Sequence, residues 1–193
     1  MFGTSNAQEI TMPTGKTEIC GCQDITRRHL LKLGAFGAGL AVGGALLRPL
    51  GALAAGQAEA LLLSCMDYRL LDDVARYMSA QGLDDKYDHV ILAGASLGAD
   101  NTKFPAWVTT FWQHLDTAIA LHGVSRVIIV DHRDCGAYRV ILGKDYAGDK
   151  PVETTVHAKV MRRLGAKIAR TYPSLKREYL LMALDGSVET IAP

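Results

Sequence analysis

Several features that would assign a chain quickly are scarce or missing here. Cysteine occurs four times, proline six times, and aromatic residues fill 7% of the 193 positions. Four cysteines, two of them close to the start, are too few for a disulfide-stapled scaffold. Neither sign of charge dominates, with 21 Lys+Arg against 20 Asp+Glu. Five of those basic residues and three of the acidic ones precede Ala55, leaving 16 and 17 in the remainder. A near-neutral chain without clustered basic residues excludes a nucleic-acid surface, which needs a concentrated positive field. There is no internal repeat, which excludes a solenoid, and no low-complexity tract after Ala55. No uninterrupted apolar run reaches the roughly 20 residues of a membrane-spanning helix.

What the front of the chain does contain is an ordered set of export signals. Thr26-Arg27-Arg28-His29-Leu30-Leu31-Lys32 precedes an uncharged Gly/Ala/Leu-rich stretch from Leu33 to Leu47. Arg48 and Pro49 close that stretch, and Ala52-Leu53-Ala54 offers the small residues a signal peptidase reads. Twin arginines, a short apolar segment and an A-x-A site resemble a twin-arginine (Tat) export signal. The expectation is that residues 1–54 are removed, most simply after Ala54, and that residues 55–193 form the mature domain in the periplasm. An uncleaved anchor is the competing reading. After cleavage no stable membrane span is expected. Cys20 and Cys22 leave with the signal, so only Cys65 and Cys135 remain.

In the mature chain, apolar runs alternate with amphipathic stretches. Ala60–Cys65, His89–Ala93, Arg126–Val130 and Tyr179–Leu184 are short and apolar enough to be strands buried on both faces. Leu70–Gln81, Pro105–His122, Gly136–Gly143 and Thr154–Thr171 carry helical periodicity, and Lys144–Pro151 is expected to be a loop. Strands alternating with helices predict an α/β fold: a mainly parallel four-stranded sheet flanked by helices. Trp107 and Trp112 sit at core spacing on the apolar face of the second helical stretch, Pro105–His122. His114, His122 and His157 are taken as ordinary surface or helix histidines.

The chemistry concentrates at two strand ends. After Ala60-Leu61-Leu62-Leu63 comes Ser64-Cys65-Met66-Asp67-Tyr68-Arg69, which puts a thiol, a carboxylate and a guanidinium at alternate positions. After Val127-Ile128-Ile129-Val130 comes Asp131-His132-Arg133-Asp134-Cys135-Gly136. Cys65, His132 and Cys135 offer three ligands of the kind Zn²⁺ prefers, with Asp67 as a possible fourth. Zinc with one exchangeable position generates hydroxide near neutral pH without a strong base. Arg69 can hold Asp67 ionised in a two-pronged pair. In parallel sheets ligands bind beyond the carboxyl ends of strands where strand order reverses, so adjacent first and third strands would unite these residues.

Cys65-x-Asp67-x-Arg69 followed by His132-x-x-Cys135-Gly136 resembles the signature of the β-class carbonic anhydrases, over about Ala60 to Leu184. The resemblance implies sheet order 2-1-3-4, a homodimer or higher homo-oligomer, and Zn²⁺ on Cys65, His132 and Cys135. It also implies Asp67 and Arg69 as the catalytic dyad in reversible hydration of carbon dioxide to bicarbonate by a zinc-bound hydroxide. Asp131 stands where this family usually has glycine. Three alternatives remain at this point: a hydrolase of carbon disulfide or carbonyl sulfide, a non-catalytic zinc protein of the same fold, and a Cys65–Cys135 disulfide in a metal-free protein.

Overall fold

A computed structural model describes residues 56–193, so the expected export signal (residues 1–54) and its cleavage site lie outside the described residues. Five strands and five helices follow in chain order: β1 (Ala60–Ser64), α1 (Leu71–Ala80), β2 (Tyr87–Ile91), α2 (Ser96–Ala99), α3 (Pro105–His122), β3 (Arg126–His132), α4 (Gly136–Leu142), α5 (Lys150–Thr171), β4 (Lys176–Met182) and β5 (Val188–Thr190). The sheet order is β2-β1-β3-β4-β5. The first four strands run parallel, and β5 pairs antiparallel with β4. The order 2-1-3-4 therefore holds within a larger sheet, and the expected four strands become five. The extra strand follows a turn at Asp185-Gly186, where Gly186 takes a left-handed φ of 81°.

Strand β1 lies between β2 and β3 and is buried at every position. Alternation sorts its side chains between two layers. Leu61 and Leu63 join Phe111, Leu115, Met161, Leu164 and Ile168 beneath α3 and α5. Ala60 and Leu62 join Val74, Met78, Ile128 and Leu180 beneath α1. Helices thus cover both faces, which is why β1 and the Val127–Val130 stretch of β3 are continuously apolar rather than alternating, whereas the outer strand β2, expected to be buried on both faces, buries only Val90.

Helix α5 begins at Lys150, four residues before its expected start. Asp149 caps it, its side chain accepting the Val152 N–H at 3.2 Å, and Pro151 sits in the first turn where a missing N–H costs nothing. The segment expected to be a loop up to Pro151 thus supplies the helix start. Gly165 brings α5 against β4: a Cβ there would overlap the Tyr179 hydroxyl and lie 2.6 Å from its Cζ.

Register decides where the site falls. Ser64 pairs with Ile91 on one side and Val130 on the other. Cys65 therefore follows directly beyond the end of β1, while β3 runs two residues past Val130 to His132. Strand order reverses here, β1 being followed by β2 on one side and β3 on the other, which opens a crevice at these strand ends.

Candidate metal centre

One ligand atom each from Cys65, His132 and Cys135 lie within 4.8 Å of one another. Cys65 leaves β1, His132 closes β3, and Cys135 is the residue from which α4 starts. The two cysteines are free, with Sγ atoms 3.9 Å apart, far beyond the ~2.05 Å of a disulfide. Two thiolates on a tetrahedral zinc, at ~2.3 Å each, would be about 3.8 Å apart. The separation matches a shared cation.

His132 is 3% exposed, and its Nδ1 lies 2.8 Å from the Arg133 carbonyl oxygen. A carbonyl only accepts, so Nδ1 holds a proton, and in the neutral ring Nε2 presents a lone pair. That Nε2 is buried and has no hydrogen-bond partner, alone in this respect among the side-chain atoms of the described residues. A buried polar atom without a partner is costly, and a metal ion would remove the cost.

The titratable groups of the cluster act on one another. The hydrogen bond from Cys135 lowers the pKa of Cys65, helped by His132 and by the Gly94 N–H at 3.3 Å, against the opposing effect of burial. Cys135 is pushed up by that same contact and by burial. Burial would keep His132 neutral, but the neighbouring Cys65 and Asp67 raise its pKa instead. The two thiols thus share one proton, and a dication that displaced it would balance two thiolates.

Asp67 and Arg69 form the expected two-pronged pair. Arg69 Nε donates to Asp67 Oδ1 at 2.9 Å and Nη2 to Oδ2 at 2.8 Å. These bonds hold the Asp67 carboxyl down to about 2. Asp67 Oδ2 lies 3.8 Å from His132 Nε2, beside the ligand cluster.

Two differently lined hollows meet at the dyad. A cavity of about 560 Å³ is lined by Ala93, Trp107, Ala137, Val140 and Ile141 together with Cys65, Asp67 and Cys135. A smaller cleft of about 270 Å³ is lined by Arg69, Asp134, Arg139 and Asp145, and shares Asp67 and Cys135. The first suits an apolar molecule and the second a charged one. Trp107 thus serves the cavity wall, stacked on Phe104 at 4.2 Å, rather than the core to which its spacing assigned it. It lies in the first turn of α3, ahead of the buried positions Phe111, Leu115 and Ala118.

Several residues around the centre were not legible as parts of it. Asp131, 1% exposed, accepts from Ser96 N at 2.9 Å, Ser96 Oγ at 2.6 Å, Tyr138 Oη at 2.6 Å and His157 Nδ1 at 2.9 Å. Burial alone would raise its pKa, but His157, Ser96 and Tyr138 lower it on balance. His157 is 2% exposed, which corrects its reading as a surface histidine. This network ties the end of β3 to α4, α5 and the start of α2. Glu153, also buried, accepts the Asp134 N–H at 2.6 Å and pairs with Arg133 at 3.2 Å, fixing the loop between His132 and Cys135. The available signal was helical spacing: Glu153, His157, Met161, Leu164 and Ile168 form one inward stripe.

Comparison with known proteins adds an independent line. The family model described as "Putative carbonic anhydrase" matches residues 55–192. An uncharacterised protein of Rickettsia conorii is 38% identical over 135 residues, covering 70% of this chain and 73% of the relative. Another, from Rickettsia bellii, is 36% identical over 135 residues, covering 70% and 82%. Among solved structures, a carbonic anhydrase from Glaciozyma antarctica is similar at 17% identity and a TM-score of 0.47, covering 88% of this chain and 97% of that one. A β-carbonic anhydrase from Trichomonas vaginalis is similar at 17% identity and a TM-score of 0.46, covering 70% and 83%. The family match spans the whole α/β domain and every residue of the Cys65–His132–Cys135 cluster, and by it the chain belongs to this carbonic anhydrase family.

Proposed function

We propose that residues 55–193 form a zinc-dependent carbonate dehydratase that interconverts carbon dioxide and water with bicarbonate and a proton. The observation that carries this reading is His132 Nε2, a buried nitrogen without a partner, set among two thiols and a carboxylate. Cys65, His132 and Cys135 would hold Zn²⁺. The ion would supply hydroxide at neutral pH and charge stabilisation for the developing anion.

The chain's own residues do the rest. The apolar wall of Ala93, Trp107, Val140 and Ile141 receives an uncharged linear molecule and keeps excess water from it. Asp67, held ionised by Arg69, can only accept a hydrogen bond. At Oδ2 it orients the attacking oxygen so that a lone pair faces the substrate carbon. The product is an anion, and the polar cleft beyond Arg69 offers it and the proton a hydrated way out.

Two dependent proposals stand beside this reading. The chain is exported by the twin-arginine route, cleaved after Ala54 and active in the periplasm. It works as a homodimer or higher homo-oligomer. Among the described residues no helix is long and apolar enough to cross a membrane. The test of function is carbon dioxide hydration by the purified zinc-loaded protein, measured by stopped flow. Rapid hydration supports the proposal. Zinc binding without hydration, but with hydrolysis of carbonyl sulfide or carbon disulfide, would replace it with the sulfur-substrate reading.

A further inference from the structure

Arg69 is shared between two carboxylates, and only one belongs to the expected dyad. Its Nη1 donates to Asp134 Oδ2 at 2.8 Å, and its Nη2 reaches the Asp134 carbonyl oxygen at 3.1 Å as well as Asp67 Oδ2. Asp134 takes the Nη1 edge, which Asp67 leaves unused, so the two acids hold one guanidinium from different sides rather than compete for it. Their placement differs in kind. Asp67 and Arg69 are two residues apart in the turn that follows β1, where the Leu70 N–H meets the Asp67 carbonyl oxygen, whereas Asp134 comes from the loop between His132 and Cys135.

That loop is stiff. Asp134 has a left-handed φ of 54°, its N–H is given to buried Glu153 at 2.6 Å, and the preceding Arg133 N–H goes to Met182 O at 2.9 Å. A surface pair of a long arginine and its near neighbour is weak alone, because the guanidinium swings in solvent. Arg69 is one-third exposed, so it needs a second anchor to keep a fixed plane. Asp67, only 16% exposed and 3.8 Å from His132 Nε2, would turn toward the ligand cluster once released.

We propose that Asp134 is a positioning residue that fixes the Arg69 guanidinium and so keeps Asp67 off the exchangeable metal position. The inference rests on the metal reading above and deepens it. Asp134 is not one of the three candidate ligands; it acts through Arg69.

The test uses protein loaded with cobalt(II) in place of zinc, whose absorption reports ligand changes, and azide as an anion that takes an exchangeable position. Asp134→Asn removes the charge while tolerating the left-handed backbone, and Asp134→Gly removes the side chain with no backbone strain. The parent spectrum should shift on adding azide. Both variants should need at least about tenfold more azide, equal to about 1.4 kcal/mol. Adding Asp67→Asn to Asp134→Gly should return the azide response toward the parent, because the competing carboxylate is gone. An unchanged or smaller azide requirement in both variants overturns the proposal. So does a raised requirement that Asp67→Asn fails to relieve, and so does loss of cobalt by both variants, which would make Asp134 part of the loop's structure only. A parent that binds no cobalt overturns the metal reading itself, and this inference with it.

Discussion

Nδ1 of His132 donates to the carbonyl oxygen of the very next residue, Arg133, at 2.8 Å. The bond commits the proton to one side of the ring and turns Nε2 toward Cys65, Cys135 and Asp67. Second-sphere bonds of this kind commonly orient metal-binding histidines, here with main chain as the acceptor.

Removing a ligand should abolish the metal. His132→Ala and Cys135→Ser are each expected to lower zinc content of the purified protein from near one per chain to near zero. Elemental analysis after dialysis measures it. Retention of stoichiometric zinc by either variant would remove that residue from the ligand set.

Asp67→Asn keeps the shape of the side chain but loses the charge and gains a donor. Zinc content should stay at the parental level while hydration falls by roughly a hundredfold or more, the usual scale for a positioned proton acceptor. Stopped-flow rates beside metal analysis separate the two effects. Parental hydration by this variant would take Asp67 out of the mechanism.

The contact between α5 and β4 depends on a missing methyl group. Gly165→Ala should destabilise the domain by about 1–3 kcal/mol, since Tyr179 is buried and has little room to withdraw. Tyr179→Phe should rescue it only in part, because the ring carbon Cζ would still lie 2.6 Å from the new Cβ. Urea denaturation of the two single variants and the double variant measures this. Additive losses would show that the two positions do not meet.

His89 is exposed at one end, on the outer strand β2, yet the partial loss of water around its ring lowers its pKa below the ordinary 6.5, and its Nε2 sits 2.7 Å from the buried Ser64 hydroxyl. The folded state therefore prefers the neutral ring. That preference stabilises the fold above pH 6.5 and is lost as pH falls through the lowered value, because unfolded chains take up the proton first. Stability of His89→Gln should fall less than that of the parent as pH drops from neutral through the mildly acidic range. Parallel stability profiles would contradict this.

Local spacing made much of the fold and the ligand cluster legible. The first strand's apolar run ends one residue from Cys65, and His132-x-x-Cys135 spans a single turn. Period-two alternation and strand order then do the long-range work, because neighbouring parallel strands finish at one edge. What stayed hidden depends on three-dimensional pairing. Strand β5 has only Val188-Glu189-Thr190, too short to show a period, and owes its place to the antiparallel register with β4. His157 and Glu153 look like solvent residues because they are polar. They are buried because Asp131, Arg133 and the Asp134 N–H wait for them across the sheet edge. Trp107 matches a core stripe, yet it falls in a helix turn that faces the site.

The most direct measurement is zinc content and carbon dioxide hydration on one preparation of the purified protein. The account predicts about one zinc per chain, held by Cys65, His132 and Cys135, with rapid hydration that disappears on chelation. A protein that folds, keeps both thiols free, and takes up no zinc when it is offered would contradict it.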